Sequence, residues 1–407
     1  MLYGQGVPGV PGLYPILGWE DLLTALPLPP PPLGSSSPPP QLEPISLISE
    51  QVFSELRFSD AARGDFMPSS GAWAPIVSRA LSSLPAAVAG LQRQMSPGPQ
   101  SLFTFFHMRK SGGSMIREAV YRAAQRLGAR SFIPCYPTNL GAATRIECDT
   151  YAPPLVAQSA PHSRQRPYDI VGGHIFRPLL EKWEWRWRST LKPDSNLPFV
   201  QSQLAPQTPA CLTVIREPLA RVESCWNYRF VHGRDIDTSV GGATAEFKLF
   251  HLMDPASLDK LLPHTYSRYG EGCNNEAARL LASIGPEETR VNQLNLLNMS
   301  SPDQPAALGA LSDVLQQLSK CVVGVLERCQ ATMVNLRAHL PWLAPEYDCT
   351  STNVSANVLN RGEALPPDRK STANWARLAA VVRRHNALDE IAYGFTNQLL
   401  TAQLNAQ

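Results

Sequence analysis

Net charge of either sign is nearly absent from this sequence. The 407 residues include 36 lysines and arginines against 34 aspartates and glutamates, which leaves a formal net charge of +2. Proteins dedicated to nucleic-acid binding normally carry a strong basic excess, so nucleic acid is not predicted as a partner. Any affinity for an anion must therefore come from local sites.

Long uninterrupted hydrophobic runs are also missing. The most apolar N-terminal stretch, 7–28, is broken by four prolines and carries Glu20 and Asp21, whereas a membrane-spanning helix needs about 20 mostly apolar residues. The same stretch lacks the basic n-region of a signal peptide. The sequence therefore predicts either a soluble chain or one whose true start is not included, with membrane attachment only through an anchor outside it.

Closely spaced cysteine pairs are absent as well. None of the eight cysteines forms a Cys-x-x-Cys pair, so the zinc-ribbon and thioredoxin classes lose their support and no metal site is predicted. An even number of cysteines permits disulfides without requiring them. Two N-glycosylation patterns, at Asn298 and Asn353, favour the lumen of the secretory pathway.

Proline, in contrast, is abundant: the chain has 38 of them, and many lie near the N-terminus. Residues 1–45 are rich in proline, glycine and serine and are predicted to form a disordered tail, because this composition buries too little apolar surface to offset the entropy of folding. Residues 46–99 contain short apolar patches and are interpreted as a helical and linker region. The organised domain is expected at 100–400.

Three apolar runs, each followed by a helix-forming segment, indicate a parallel sheet. The first run, 101–106, precedes a glycine loop and an amphipathic stretch at 115–127. The second, 211–215, precedes a helix from about Leu219, and the third, 321–326, precedes another helix. Alternating strands and helices predict an α/β fold, here a P-loop-like parallel sheet flanked by helices. Further helices are expected in 275–283, 302–320 and 375–400.

The first candidate site is the glycine loop, which reads Lys110-Ser111-Gly112-Gly113-Ser114. A helix N-terminus after a strand offers unpaired N–H groups to a phosphate, and the glycines let the backbone approach it. The serines and the lysine add hydroxyl donors and a cation. The alternative is a tight strand–helix turn with a surface lysine. Because the lysine precedes the glycines, unlike in the Walker A pattern, an ATPase or GTPase is not favoured.

The second candidate site combines Arg216 and Ser224. Arg216 follows the strand at 211–215, and Ser224 lies about two turns along the next helix. A guanidinium fork and a hydroxyl together suit a second phosphate. In the alternative interpretation Arg216 pairs with a local carboxylate and Ser224 is an ordinary helix residue.

The third candidate is His174, which follows a short strand-like segment ending in Gly172 and Gly173. An imidazole titrates near neutral pH, so His174 is a candidate general base for an attacking hydroxyl. A purely structural histidine is the alternative. His107, at the start of the glycine loop, is a rival for the same function.

Together these segments resemble the Golgi carbohydrate sulfotransferase superfamily, in particular the branch that includes heparan sulfate 2-O-sulfotransferase. Residues 106–114 look like its 5′-phosphosulfate loop, and residues 214–224 are similar to its 3′-phosphate motif. Residues 173–176 look like its Gly-His segment. Further similarities lie in 273–275, 323–328 and 386–393. The resemblance spans about residues 100–400 and departs from the family at Arg109, where the family has proline, and at the two serines of the loop, where it has threonines.

The resemblance implies a PAPS-dependent sulfotransferase fold. The enzyme would move a sulfuryl group from 3′-phosphoadenosine 5′-phosphosulfate (PAPS) to a hydroxyl of a glycan, in the Golgi lumen or at its membrane. Residues 111–114 would hold the 5′-phosphate, and Arg216 and Ser224 the 3′-phosphate. Lys110 would stabilise charge on the bridging oxygen and His174 would accept the proton, without a metal ion.

The glycan acceptor is expected near 183–188, where three tryptophans alternate with charged residues. Arg186 and Arg188 are candidate contacts to an anionic glycan, and the alternative is that the tryptophans pack into the core. Two other functions stay open. One is a catalytically inactive relative that binds a nucleotide or a glycan, and the other is a P-loop kinase of unusual type.

Overall fold

The computed structural model of the chain describes residues 73–91, 97, 102–134, 136, 168–175, 177, 180, 210–231, 247–264, 273–282, 305–343 and 368–407. Several expectations concern residues outside these ranges: the disordered tail at 1–45, most of the linker region, both glycosylation patterns, and the tryptophan-rich stretch with Arg186 and Arg188. The three predicted strands and the helices that follow them lie inside.

The described strands form one five-stranded, entirely parallel sheet in the order β2-β3-β1-β4-β5. They are β1 (Phe103–Phe106), β2 (Ser131–Phe132), β3 (Ile170–Gly173), β4 (Ala210–Ile215) and β5 (Cys321–Val325). In the central register, Phe106 of β1 lies beside Gly173 of β3 and Thr213 of β4. The prediction of an α/β protein with a parallel sheet is confirmed, and β2 is an addition that the sequence did not suggest.

Helices connect and cover these strands. The described α-helices are α1 (Ala74–Ser82), α2 (Leu84–Leu91), α3 (Gly113–Arg126), α4 (Pro218–Trp226), α5 (Pro255–Leu261), α6 (Glu276–Leu281), α7 (Pro305–Leu318), α8 (Cys329–His339), α9 (Ala373–His385) and α10 (Ala387–Asn405). A π-helical turn, Asn227–Val231, extends α4. Short 3-10 turns occur at Phe250–Leu252, Leu262–His264, Leu326–Arg328, Pro341–Leu343 and Arg369–Ser371.

The sheet is the middle of three layers, because side chains of a strand alternate between its two faces. Phe103 and Phe105 pack in a fully buried cluster with residues of α3 and α8. Phe106 points to the opposite face and belongs to a cluster with residues of α2, α6, α7 and α10. Each such aromatic or aliphatic side chain contributes about 1.5–3 kcal/mol by leaving water. These layers hold the strand ends, and therefore the loops after them, in place.

A third apolar cluster lies beside the sheet and is built around Trp226 at the end of α4. Its ring contacts Phe230 and Phe247 at centroid distances of 5.2 Å each. Residues of α9 complete the cluster, including Trp375, which meets Phe250 edge-on at 5.6 Å. This cluster fixes α4, the helix that carries Ser224.

Disulfides tie these parts together. Cys211 and Cys321 join the neighbouring strands β4 and β5 across 110 residues of sequence. Cys225 at the end of α4 is bonded to Cys273, 48 residues away. Cys329 is disulfide-bonded as well, and none of the described cysteines is free.

The C-terminal segment differs from the single helix predicted at 375–400. It forms two helices, α9 and α10, separated at Asn386. The Asn386 side chain is fully buried. Its Oδ1 accepts hydrogen bonds from the backbone N–H of Asn275 at 2.9 Å and from Arg221 Nη2 at 3.2 Å. These long-range contacts interrupt the helix at Asn386, where the sequence has neither a proline nor a glycine to predict a break.

At one border of the described sheet, the outer side of β5 is occupied by side chains. Gln403 of α10 donates to the carbonyl of Cys321 at 2.8 Å and accepts from the N–H of Val323 at 3.1 Å. Asn335 Nδ2 donates to the carbonyl of Val323 at 2.9 Å. Thr332 Oγ1 is within 2.9 Å of both the N–H and the carbonyl of Val325. Alternate backbone groups of β5 are thus bonded to helices α8 and α10.

None of the described helices by itself is long and hydrophobic enough to cross a membrane. The helices α1 and α2, which are bent by 48° relative to each other, meet the length and hydrophobicity criterion only when taken together.

Candidate functional site

The carboxyl ends of β1 and β4 mark the point where the connections diverge across the sheet. β2 and β3 lie on one side of β1, and β4 and β5 lie on the other. The segments that leave β1 and β4 therefore run in opposite directions, and ligands of open α/β sheets bind in the crevice at such a switch point. The first two candidate segments, 107–114 and 216–224, flank this crevice.

The loop after β1 makes a tight turn through two residues in the left-handed region. Lys110 has φ 61° and Gly112 has φ 74°. Gly112 is the N-cap of α3 and contributes no side-chain hydrogen bond to it. The first N–H groups of this 14-residue helix consequently have no capping side chain, which is the arrangement that favours an anion.

Packing requires the glycine at 113, and the positive φ of Gly112 together with its packing favours glycine there. A Cβ at Gly113 would lie 1.8 Å from Cδ2 of His107, and a Cβ at Gly112 would lie 2.7 Å from Cδ1 of Leu326. The tight-turn alternative therefore accounts for the two glycines without a ligand. It does not account for the polar atoms inside the loop.

Among the described residues, Oγ of Ser111 and Nδ1 of His107 have no hydrogen-bond partner although both atoms are buried in this loop. Ser111 is fully buried and His107 is only 4% exposed. Buried polar groups are nearly always hydrogen-bonded, so two such atoms in one loop are a pattern expected where a ligand binds. Ser114 lies in the first turn of α3, and its side chain is outside the described part of the structure.

Lys110 reaches from this loop toward the second candidate segment. Its Nζ lies 4.0 Å above the ring centroid of Tyr228, within the range of a cation–π interaction. Tyr228 belongs to the π-helical turn that extends α4. The lysine ammonium is therefore held on the side of the crevice where Ser224 and α4 are located.

Arg216 joins the two candidate segments directly. Its Nη1 donates to the backbone carbonyl of Lys110 at 3.1 Å, and its Nε lies 3.9 Å from Oε1 of Glu327. Burial lowers the pKa of Arg216, and the carboxylates of Glu327, Glu223 and Glu217 oppose that shift. A guanidinium stays charged under these conditions. The carboxylate pairing proposed as the alternative for Arg216 is thus present at ion-pair distance.

Carboxylates near Arg216 also occupy the start of α4. Glu217 caps this helix by accepting from the N–H groups of Leu219 at 3.1 Å and Ala220 at 2.7 Å. The N–H of Glu217 donates to both carboxylate oxygens of Glu327 at 3.2 Å. Burial raises the pKa of Glu327. The second segment consequently contributes a guanidinium to the crevice, but no uncapped helix end. Ser224 is half-buried in α4.

Glu390 of α10 is a second carboxyl that interacts with Glu217. Burial raises the pKa of Glu390 to about 7, and the negative charge of Glu217 also raises it. Burial also raises the pKa of Tyr393, on the same helix. Glu217 thus has a second acidic neighbour, in α10, whose charge changes near neutral pH.

His174 lies at the end of β3, against His107. Its Nδ1 is 2.7 Å from the carbonyl oxygen of His107, and the two imidazoles stack with centroids 4.2 Å apart. Because a carbonyl only accepts, Nδ1 of His174 carries the proton and Nε2 keeps its lone pair. Burial lowers the pKa of His174, and the neighbouring His107 and Arg109 lower it further. The ring is therefore a neutral imidazole with Nε2 able to accept a proton.

A buried polar network beneath the crevice was not predicted from the sequence. Arg221 of α4 donates to Asp389 Oδ2 at 3.2 Å and to the carbonyl of Cys273 at 2.7 Å. Asp389 also accepts from the N–H groups of Glu276 at 2.8 Å and Ala277 at 3.0 Å. The segments at 273–275 and 386–393 therefore meet in the structure. Their contacts with Arg221 support α4.

The structure brings Lys110, Ser111, Arg216 and His107 to one edge of the sheet, with His174 stacked on His107. Arg186 and Arg188 lie outside the described residues. Tyr228, Glu327 and Arg117 are additions, and Arg117 lowers the pKa of both histidines through its charge, after burial. No group of three or more His, Cys, Asp or Glu side chains within the described ranges is arranged to hold a metal ion.

The chain matches no protein-family model, no curated protein and no solved structure.

Proposed function

We propose that this protein is a PAPS-dependent O-sulfotransferase that transfers a sulfuryl group to a hydroxyl of a glycan. The observation that carries the proposal is the contact between the two anion-binding segments, where Arg216 donates to the carbonyl of Lys110 at 3.1 Å. PAPS carries phosphate groups at both ends of its ribose. Two segments that each bring one cation to the crevice, Lys110 and Arg216, suit such a ligand better than an ordinary nucleotide with a single phosphate chain.

The loop after β1 supports the 5′ end of this donor. The uncapped start of α3 offers backbone N–H groups, and Ser111 Oγ is a buried hydroxyl with no hydrogen-bond partner in the part of the chain that the structure describes. Lys110, at the head of this loop, would stabilise negative charge on the oxygen that bridges phosphate and sulfur. This charge grows as the S–O bond breaks and 3′,5′-adenosine bisphosphate leaves. Arg216 and Ser224 would hold the 3′-phosphate.

His174 would take the proton of the attacking hydroxyl. The hydroxyl oxygen forms the new S–O bond, the bridging oxygen leaves with its electron pair, and Nε2 of His174 receives the proton. The lowered pKa keeps the ring neutral before the reaction. Stacking on His107 and the hydrogen bond to the His107 carbonyl hold the ring in one tautomer and one orientation.

The disulfides support a compartment where PAPS-dependent glycan sulfation occurs. Cys211–Cys321 and Cys225–Cys273 are both formed, and such bonds persist in the oxidising lumen of the secretory pathway. We therefore propose the Golgi lumen as the location and a glycan as the acceptor, with Arg186 and Arg188 as its candidate contacts.

The second candidate function is a nucleotide-binding relative without transfer activity. Two observations favour it: the Lys110 ammonium is engaged by the ring of Tyr228 at 4.0 Å, and Arg216 has carboxylate neighbours. Binding of 3′,5′-adenosine bisphosphate without sulfate transfer to any acceptor would identify this function.

The test measures nucleotide binding first and transfer second. Calorimetric titration of the wild type should show affinity for PAPS and 3′,5′-adenosine bisphosphate and at least tenfold weaker binding of 5′-AMP and ATP. Transfer of radiolabelled sulfate to a panel of glycans should then be lowered about 10²–10³-fold in kcat by Lys110→Ala, with donor affinity changed only a few-fold.

Lys320→Ala is the matched control, because Lys320 is exposed and immediately precedes β5, at the opposite end of the sheet. Its kcat should equal that of the wild type. Equal affinity for ATP and PAPS, or full turnover in Lys110→Ala, would overturn the proposal.

A further inference from the structure

Arg109 is the residue at which the glycine loop departs most from the pattern it resembles, and the structure buries it. Its side chain is 4% exposed, and Nη1 lies 3.6 Å from Oε1 of Glu276, whose side chain is 2% exposed. Removing one partner of a buried charged pair is strongly destabilising, because the other charge is left in the interior without its counterpart. Arg109 is therefore an internal anchor of the loop.

This ion pair links the loop to the helix that follows Arg216. Glu276 donates its backbone N–H to Asp389 at 2.8 Å, and Asp389 accepts from Arg221 Nη2 at 3.2 Å. Arg221 lies in the first turns of α4, five residues after Arg216. A continuous chain of buried contacts thus connects Arg109, on one side of the crevice, with the segment on the other side.

The residue next to Arg109 needs such support. Lys110 has φ 61°, a left-handed conformation that a lysine adopts only where surrounding contacts impose it. The contacts that hold its backbone include the hydrogen bond from Arg216 to its carbonyl and the anchored side chain of Arg109 immediately before it. Loss of the anchor should release the backbone of Lys110 and change the direction of its side chain.

We propose that Arg109 is a positioning residue, whose buried ion pair with Glu276 fixes the backbone of Lys110 relative to Arg216 across the crevice. The assignment rests on the proposed function, because the two residues it aligns are those expected to hold the sulfuryl donor. No donor contact is assigned to Arg109 itself, because its side chain is only 4% exposed and faces Glu276.

Arg109 also has an electrostatic effect that a merely structural residue would lack. Its charge lowers the pKa of both His107 and His174, after burial and together with Arg117. The two imidazoles also face each other. Removing the charge of Arg109 should therefore raise the pKa of His174, so that the acid limb of the pH–rate profile moves to higher pH. Arg109→Lys keeps the charge and should leave this limb in place.

The experiment compares wild type with Arg109→Met, Glu276→Gln and the double variant Arg109→Met/Glu276→Gln. Either single change removes one charge of the buried ion pair and is expected to impair folding, whereas the double change removes both charges. Arg122→Met is the matched control, because Arg122 forms an exposed ion pair with Glu118 on α3. Amide hydrogen exchange is measured at 107–113 and 216–221, and affinity for 3′,5′-adenosine bisphosphate by calorimetry.

The double variant should fold, exchange the amides of 107–113 at least tenfold faster than wild type, and bind 3′,5′-adenosine bisphosphate at least tenfold more weakly. Unchanged exchange and unchanged affinity in the double variant would overturn the inference and leave the proposed function intact. A wild type that binds no nucleotide would instead refute the proposed function, even if exchange in the loop still depended on Arg109.

Discussion

The contact between Gly113 and the ring of His107 allows a direct test of how the candidate site is packed. In Gly113→Ala, the new methyl group would lie 1.8 Å from Cδ2 of His107, whereas ordinary contact begins at 3.4 Å. The ring has little freedom to move away, because it stacks on Phe105 at 5.5 Å and on His174 at 4.2 Å. The substitution must therefore displace the histidine pair or the start of α3.

The expected magnitude follows from overpacking, which typically costs about 1–3 kcal/mol in a well-packed interior. A matched change is Gly394→Ala within α10, where no described atom outside the helix's own backbone lies within 4 Å of the new methyl group. That variant should gain about 1 kcal/mol from the higher helix propensity of alanine. We therefore expect the free energies of unfolding of the two variants to differ by about 2–4 kcal/mol.

Urea unfolding followed by tryptophan fluorescence measures both variants under the same conditions. A third protein, Gly113→Ala/His107→Ala, identifies the cause, because removal of the imidazole removes the clash. Its destabilisation should be smaller than the sum of the two single effects. Equal stability of Gly113→Ala and Gly394→Ala, or strict additivity with His107→Ala, would refute the described packing.

Two other predictions concern stability. Burial raises the pKa of Glu390 to about 7, so between the ordinary carboxyl pKa and pH 7 the folded chain binds more protons than the unfolded one. The free energy of unfolding should therefore fall as pH rises through that window. Glu390→Gln should be more stable than wild type at pH 8 and equally stable near pH 4, and parallel curves of stability against pH would contradict this. The Cys211–Cys321 bond closes a loop of 110 residues and the Cys225–Cys273 bond one of 48. The loss of chain entropy in the unfolded state gives stabilisations of about 5 and about 4 kcal/mol, respectively. In urea unfolding, replacing both cysteines of the first bond by alanine should therefore cost more stability than replacing those of the second, and the reverse order would show that native packing around the sulfurs dominates.

The strand–loop–helix units were predictable because their signals are local. An apolar run before Lys110 and another before Arg216 each lead into amphipathic segments, and the structure places β1, α3, β4 and α4 within a few residues of the expected positions. The juxtaposition of Lys110 and Arg216 follows from parallel topology, since the carboxyl ends of neighbouring strands meet at one edge of a sheet.

Features set by distant contacts were not predictable. Arg221, Glu276 and Asp389 look like surface charges in the sequence, and only the fold brings them together in the interior. The break between α9 and α10 at Asn386 depends on partners more than a hundred residues away. The carboxylates around Arg216 likewise come from separate segments, so the charge balance of the crevice could not be derived from one motif.

The side-chain contacts along β5 have a consequence for how this protein behaves in concentrated solution. A strand at the border of a sheet normally presents unbonded amides and carbonyls that can recruit an extended segment of another molecule. Here Gln403, Asn335 and Thr332 already satisfy alternate groups of that strand. Intermolecular β-pairing at this border would first require α8 and α10 to detach, so self-association by strand addition is opposed by the stability of the helical layer itself.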